Sequence, residues 1–309
     1  MAQQDLMVRF QNDNIATSFL TEDQIRQRCP LAYAEAPTNQ VSDKYVLANT
    51  STVISDMEKL GWKVVQASQR KGREGSSGRF SYHMVVFQNP EIYITKTTLQ
   101  GEEVDCYPRI ILTNSHDGLN CFRFMVGLYR LVCSNGLVIA SEEFSDLKIR
   151  HIHYTFEELQ NLTNKVISEL PAQVELMTQM KNRELTLDER RNLAIIMYKI
   201  RKGVSLKDEV ELTIDEETVV EMLDPVREED KATDLWTVFN VLQEKIVKGG
   251  YKYFEQGMKR PRKMRKIKSF VKDLDINRKM FLAAKAFLVG KDSKAIQEAI
   301  QEAIVVEEA

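Results

Sequence analysis

Apolar positions recur along this chain in two rhythms, and the change from one to the other near residue 154 divides the sequence. Upstream, short apolar runs bounded by turn-forming residues predict strands at 62–67, 82–87, 92–97, 109–113, 120–126, 129–133 and 148–154. Asp117-Gly118 and Asn135-Gly136 supply two of the turns, because Asn, Asp and Gly accept the positive φ of tight hairpins. A helix precedes these strands: Thr50 caps a run in which Val53, Ile54, Met57 and Leu60 follow helical spacing, and Gly61 stops it. Residues 69–79 are basic and rich in Gly and Ser, so the first two strands read as a hairpin with Arg70, Lys71 and Arg73 at a cationic tip.

Beyond Tyr154 the spacing becomes helical. Thr155 and Glu158 stand three apart ahead of Leu159, Leu162, Val166 and Leu170, the arrangement in which side chain and backbone cap each other, and Thr186 with Glu189 repeats it. Further helices are predicted at 187–202, 234–248, 262–272, 277–289 and 293–305. Residues 1–44 are polar with weak periodicity and read as an arm. The resulting expectation is an α+β protein: an arm over 1–44, a core over 45–206 built on a mostly antiparallel sheet, and a helical region over 207–309. The acidic stretch 207–230 is the expected hinge.

At 309 residues with 43% hydrophobic and 28% charged positions, the chain has the composition of a globular protein with a sizeable core. No apolar run approaches the roughly 18 residues that cross a bilayer, and the N-terminus lacks a cationic start with an apolar segment, so no membrane role and a cytoplasmic location are expected. Cys29, Cys106, Cys121 and Cys133 include no CxxC pair, which favours reduced thiols. Charge changes the picture more. The net charge is −2, yet residues 252–279 hold eleven Lys and Arg against three acids, a local +8 that leaves −10 for the remainder. Such polarity directs one surface toward a polyanion.

Two segments carry candidate chemistry. The first runs Thr113-Asn114-Ser115-His116-Asp117-Gly118, then Arg123, Arg130 and Cys133-Ser134-Asn135-Gly136. As turn chemistry these residues hydrogen-bond nearby backbone. As a site, the two turns meet at one end of the sheet and present Asn114, His116, Asp117, Ser134 and Asn135, with Arg123 or Arg130, to a ligand. His151 and His153 share a strand face and form a chelating pair if His116, Asp117, Cys121 or Cys133 supplies further ligands, but the spacing matches no zinc motif and ordinary strand histidines are the better reading. On the opposite face Lys148, Arg150 and Tyr154 suit phosphate and base contacts. Ser115 beside His116 has no nucleophile elbow, and the chain carries neither a Walker A sequence nor a dinucleotide-binding glycine fingerprint. No cofactor is expected, and an enzyme is the lesser reading.

The second segment is Lys259-Arg260-Pro261-Arg262-Lys263-Met264-Arg265-Lys266-Ile267-Lys268. In a helix beginning after Pro261, Arg262, Arg265 and Lys266 share one face, with Lys252, Tyr251 and Tyr253 near it only if the chain folds back. Cations beside aromatic rings track phosphates and stack bases. The alternative is mutual neutralisation with the acidic 207–230 stretch.

The order N-S-H-D-G (114–118), a strand, R-L-V-C-S-N-G (130–136) and then Arg150-His151-x-His153 resembles a phage- and plasmid-like family of unknown function, over roughly residues 80–290 and more weakly through Asp234-Leu235-Trp236-Thr237-Val238-Phe239-Asn240. The resemblance implies a phage or plasmid setting and no assigned reaction. The expected function is nucleic-acid binding, single-stranded DNA favoured, by an accessory protein of DNA metabolism; the order helix, Gly61-Trp62, hairpin is also similar to single-strand annealing recombinases, by analogy only. The second reading is a non-enzymatic anti-defence or host-takeover factor that binds a host protein, possible as a homo-oligomer.

Overall fold

The computed structural model describes residues 6–10, 18–34, 49–69, 82–98, 101–115, 122–130, 136–139, 148–149, 154–204 and 214–290. The chain divides into two compact units, Met1–Val174 and Glu175–Ala309, and is α+β: an antiparallel sheet in the N-terminal half and helices in the C-terminal half.

The first unit is organised by its longest strand. Strands β1 (Leu6–Phe10), β2 (Lys63–Gln69), β3 (His83–Gln88), β4 (Ile92–Thr98), β5 (Gly101–Asn114), β6 (Phe122–Arg130), β7 (Gly136–Ile139) and β8 (Lys148–Ile149) form one sheet. At 14 residues, β5 is long enough to hold β4 and β3 end to end on one edge, β4 against its first half and β3 against its second, while β6 runs along the other edge. β1 extends the β4 side, β2 the β3 side, and β7 and β8 pair end to end with β6. Every pairing is antiparallel. All six residues of β3 are buried, as expected of a strand paired on both edges and covered on both faces.

Helix α1 (Glu22–Arg28) and helix α2 (Thr50–Lys59) pack near β2. In α2, Val53, Ile54 and Met57 supply the buried apolar stripe, and Gly61 at φ +84 lets the chain turn into β2. The polar arm expected over 1–44 gives way, at its described residues, to structure: β1 is an edge strand, and α1 is held by a reciprocal Thr21–Gln24 cap with Ile25 and Cys29 buried beneath it. One buried side chain in a seven-residue helix leaves no stripe for a periodicity reading to detect. The two strands expected at 120–126 and 129–133 are joined in β6, because Gly127 and Leu128 continue the ladder opposite Arg109 and Pro108.

Helix α3 (Phe156–Asn182) starts where the Thr155 hydroxyl accepts from the Glu158 N–H at 3.1 Å, and Leu159, Leu162, Val166 and Leu170 are buried along it. The division between the units falls within this helix, upstream of the hinge expected at 207–230.

The second unit packs α4 (Leu187–Lys202), α5 (Glu216–Leu223) and α7 (Phe270–Val289) against α6 (Leu235–Lys248). Eleven of the fourteen residues of α6 are buried, the polar Thr237, Asn240, Gln243 and Glu244 among them, so it is the central helix. Phe239 meets Phe281 edge-on at 6.0 Å and Gln243 donates to Asn277 at 2.7 Å, which sets α6 and α7 antiparallel. The helix expected at 262–272 does not form. Strand β9 (Lys252–Tyr253) instead pairs with β10 (Arg262–Lys263), extended chain follows, and α7 begins at Phe270 with Ser269 as its cap. Six cations within 262–272 would repel at three- and four-residue helical spacing; extended backbone over 262–268 spreads five of them apart. Residues 293–305 lie outside the described residues.

Candidate nucleic-acid interface

The basic segment is held open by the turn that precedes it. α6 ends at Lys248, and Gly249 takes φ +66. A Cβ at Gly249 would lie 2.6 Å from the Met264 carbonyl oxygen, closer than any side chain tolerates, so glycine permits the basic segment to cross the end of α6. Three backbone bonds fasten it there: Gly250 N–H to Met264 O at 2.9 Å, Met264 N–H to Tyr251 O at 2.8 Å, and Ile267 N–H to Val247 O at 2.9 Å. Tyr251, Met264 and Ile267 are the buried anchors, and the Arg201 guanidinium donates to the Arg265 carbonyl at 2.6 Å. Between the anchors the cations project outward: Lys252, Lys259, Arg260, Arg262, Lys263, Arg265, Lys266 and Lys268 are all exposed. Among the described residues none of these eight pairs with a carboxylate at ion-pair distance.

The described residues of the acidic stretch form no ion pair with these cations. Asp215 caps α5, Glu216 pairs with Arg191 at 2.6 Å, Glu221 accepts from the Lys252 backbone N–H at 2.7 Å, Glu228 pairs with Lys231 at 2.7 Å, and Asp230 pairs with Arg227 at 3.1 Å. Arg227 also makes two contacts with Glu244, so its charge is fully committed.

Beside the ribbon lies an aromatic and charged array that residue spacing does not reveal. Lys202 Nζ is 2.7 Å from the Glu255 carboxylate and 4.8 Å from the centre of the half-buried Tyr253 ring. The Tyr198 hydroxyl donates to the same carboxylate at 2.6 Å, and the Tyr198 and Tyr253 rings are 5.8 Å apart. Burial pushes the Glu255 carboxyl up, but the bonds from Lys202 and Tyr198 outweigh it and hold the group below the usual carboxylate range. The Tyr198 hydroxyl is pushed up, by burial first and by Glu255 second. Behind the ribbon, burial raises the Asp273 carboxyl to about 6 against the opposing pull of Asn277, Lys266 and Arg201. The sequence signals for this array are faint: the Gly249-Gly250 doublet after a helix, and Lys202 at the end of α4.

The polar residues at the end of β5 have a different fate. Asn114 is buried: its amide donates to Thr50 Oγ1 at 2.9 Å, its carbonyl accepts the Ser115 N–H at 2.8 Å, and Thr50 Oγ1 lies 2.8 Å from His83 Nε2. Thr50, His83, Asn114 and Ser115 have no exposed surface, so this network ties the first turn of α2 to the sheet. Tyr251, expected beside the cations as a stacking ring, is likewise buried, which leaves Tyr253. Lys148 lies opposite Arg123 in the β8–β6 register and Arg130 opposite Cys106 in the β6–β5 register. Arg70, Lys71, Arg73, His116, Asp117, Cys121, Cys133, Ser134, Asn135, Arg150, His151 and His153 lie outside the described residues. Among the described residues no group of three or more His, Cys, Asp or Glu could hold a metal ion, and no helix is long and apolar enough to cross a membrane.

Residues 37–280 match the family model described as a domain of unknown function, DUF932. The chain belongs to the DUF932 family. The matched range takes in strands β2 to β8, the central helices and the basic ribbon, ending within α7. Two relatives of this DUF932 chain come from Escherichia coli K12: the UPF0380 protein YafZ, 26% identical, and the UPF0380 protein YfjQ, 25% identical. Each aligns over 271 residues, 87% of this chain and 92% of the relative. No solved structure matches the chain.

Proposed function

We propose that this DUF932 protein binds nucleic acid, single strands favoured, through the β9–β10 ribbon and the extended segment to Lys268, as an accessory factor of phage or plasmid DNA metabolism. The observation that carries this reading is the set of eight exposed cations, none paired with a described carboxylate, on a backbone pinned by Tyr251, Met264 and Ile267. A segment that existed only for solubility would need no such anchoring. A fixed row of cations releases condensed counterions from phosphates without first ordering its own backbone, and yields binding that weakens steeply with salt. The phage or plasmid setting rests on the residue pattern from Asn114 to His153 alone. Fluorescence anisotropy with labelled single- and double-stranded oligonucleotides at two salt concentrations is the test. The expected result is salt-sensitive binding lost in Lys263→Ala/Arg265→Ala/Lys266→Ala; absence of binding, or binding indifferent to both, overturns it.

A second reading, binding to a host protein, is favoured by a separate feature. A cleft of about 370 Å³ is lined by Leu223, Pro225, Val238 and Val241, with Arg190 and Lys231 among its polar residues. Affinity capture from host lysate with nuclease treatment separates the two: a partner retained after nuclease and lost in Val241→Asp supports this reading, and a partner lost with nuclease opposes it.

A further inference from the structure

Tyr253 and Arg262 stand directly opposite each other in the β9–β10 register, as do Lys252 and Lys263. Directly paired residues share a face and successive residues alternate, so the ribbon has one face with Tyr253 and Arg262 and another with Lys252 and Lys263. The second face is purely cationic. The first is mixed, and its ring is held in place: Lys202 lies 4.8 Å from the ring centre, Glu255 locks Lys202 at 2.7 Å, and the Tyr198 ring packs against it at a centroid distance of 5.8 Å. Tyr253 nevertheless stays partly exposed, while Arg262 is exposed and forms no ion pair with a described carboxylate.

We propose that Tyr253 is a base-stacking platform, with Arg262 beside it to take the adjoining phosphate, and that this pair makes the interface choose unpaired bases over duplex. The inference rests on the nucleic-acid reading above. The physical reason for the choice is that a base in duplex already has both faces covered by its neighbours, whereas an unpaired base offers one to the ring. A ring already restrained by Lys202 and Tyr198 loses little freedom when a base stacks on it. Every base has a flat aromatic face, so the site reads the absence of pairing rather than a sequence.

Three labelled probes of equal length test this on the full chain: a thymidine oligonucleotide, an abasic oligonucleotide with the same backbone charge, and a duplex. Base-to-ring stacking corresponds to a gain of roughly 5- to 150-fold, so the wild type is expected to bind the thymidine strand that much more tightly than the abasic one. Tyr253→Leu is expected to bring the thymidine strand to the abasic level while leaving abasic affinity and salt slope within about twofold, and Tyr253→Phe is expected to keep the preference. Equal wild-type binding of thymidine and abasic strands overturns the proposal without using any variant. So does a Tyr253→Leu protein that keeps the preference or weakens both strands alike. If all three probes bind equally and the triple cation variant weakens them, the interface stands and the stacking role falls; if none binds, both fall.

Discussion

Two polar regions of this protein, similar in sequence character, end in opposite conditions. At the end of β5, Thr50, His83, Asn114 and Ser115 are fully buried and joined by hydrogen bonds. On the β9–β10 ribbon and its extension, eight cations are exposed without a described carboxylate partner, though buried anchors hold the backbone beneath them. Polar groups withdrawn from water require partners, and once matched they stabilise a fold and have little left to offer a ligand. Polar groups held outward on fixed backbone do the reverse. The end of β5 is structural at its described residues, and the basic segment, expected as a helix, is an exposed cationic ribbon on anchored backbone.

The contrast is broken most strongly by removing charge. Single strands release about 0.7 counterion per phosphate contacted, so losing three contacts in Lys263→Ala/Arg265→Ala/Lys266→Ala lowers the salt slope by about 2 and, near 0.1 M salt, weakens binding on the order of 100-fold. An unchanged melting temperature is expected alongside, since these side chains are exposed. Gly249→Ala tests the frame instead. Its φ of +66 with ψ of −146 is a conformation that only glycine adopts readily and costs another residue about 1–3 kcal/mol, and the new Cβ collides with the Met264 carbonyl, so both stability and oligonucleotide affinity are expected to fall. Retention of full affinity would mean that the ribbon does not need this crossing.

Asn114→Ala should separate the two regions. It removes one donor to the Thr50 hydroxyl and one acceptor for the Ser115 N–H inside a buried network, which costs about 1–3 kcal/mol, visible as a lower melting temperature, while binding of the remaining folded protein stays within twofold. A large loss of affinity with unchanged melting would restore a ligand role to β5. The smallest effect expected is a pH dependence at Asp273, whose carboxyl burial raises to about 6. The folded chain therefore keeps this proton up to about pH 6 while the unfolded chain releases it near 4. The contribution of this group to stability is full below about pH 4 and falls as pH rises through about 6. Asp273→Asn should match the wild type near pH 4 and exceed it in thermal stability at pH 7; an offset constant with pH would count against this assignment.

Much of the architecture was legible in local pattern. The capped starts at Thr155 and Thr186, the α4 range and most strands of the sheet were readable because caps, helical stripes and turn residues act within a few positions of the chain. α1 was not, since Ile25 alone marks its inner face. The basic character of 252–279 was readable as well, but its conformation was not. Met264 and Ile267 are three apart, a spacing that serves a helix as well as the extended run observed, and the choice was made by like-charge repulsion and by carbonyls at Tyr251 and Val247 that only the folded unit presents.

By itself, then, the sequence determined the α+β class, the membership in a family defined by its own residues, and where positive charge concentrates. Those properties are sums over neighbouring positions. Tertiary structure alone decided that Asn114 turns inward, that Asp215, Glu216, Glu228 and Asp230 are committed to a cap and to cations other than those of the ribbon, and that Lys202 reaches Tyr253 from a helix about fifty residues upstream. Burial and pairing depend on what lies across space. A side chain with several chemical options takes the one its distant neighbours leave open.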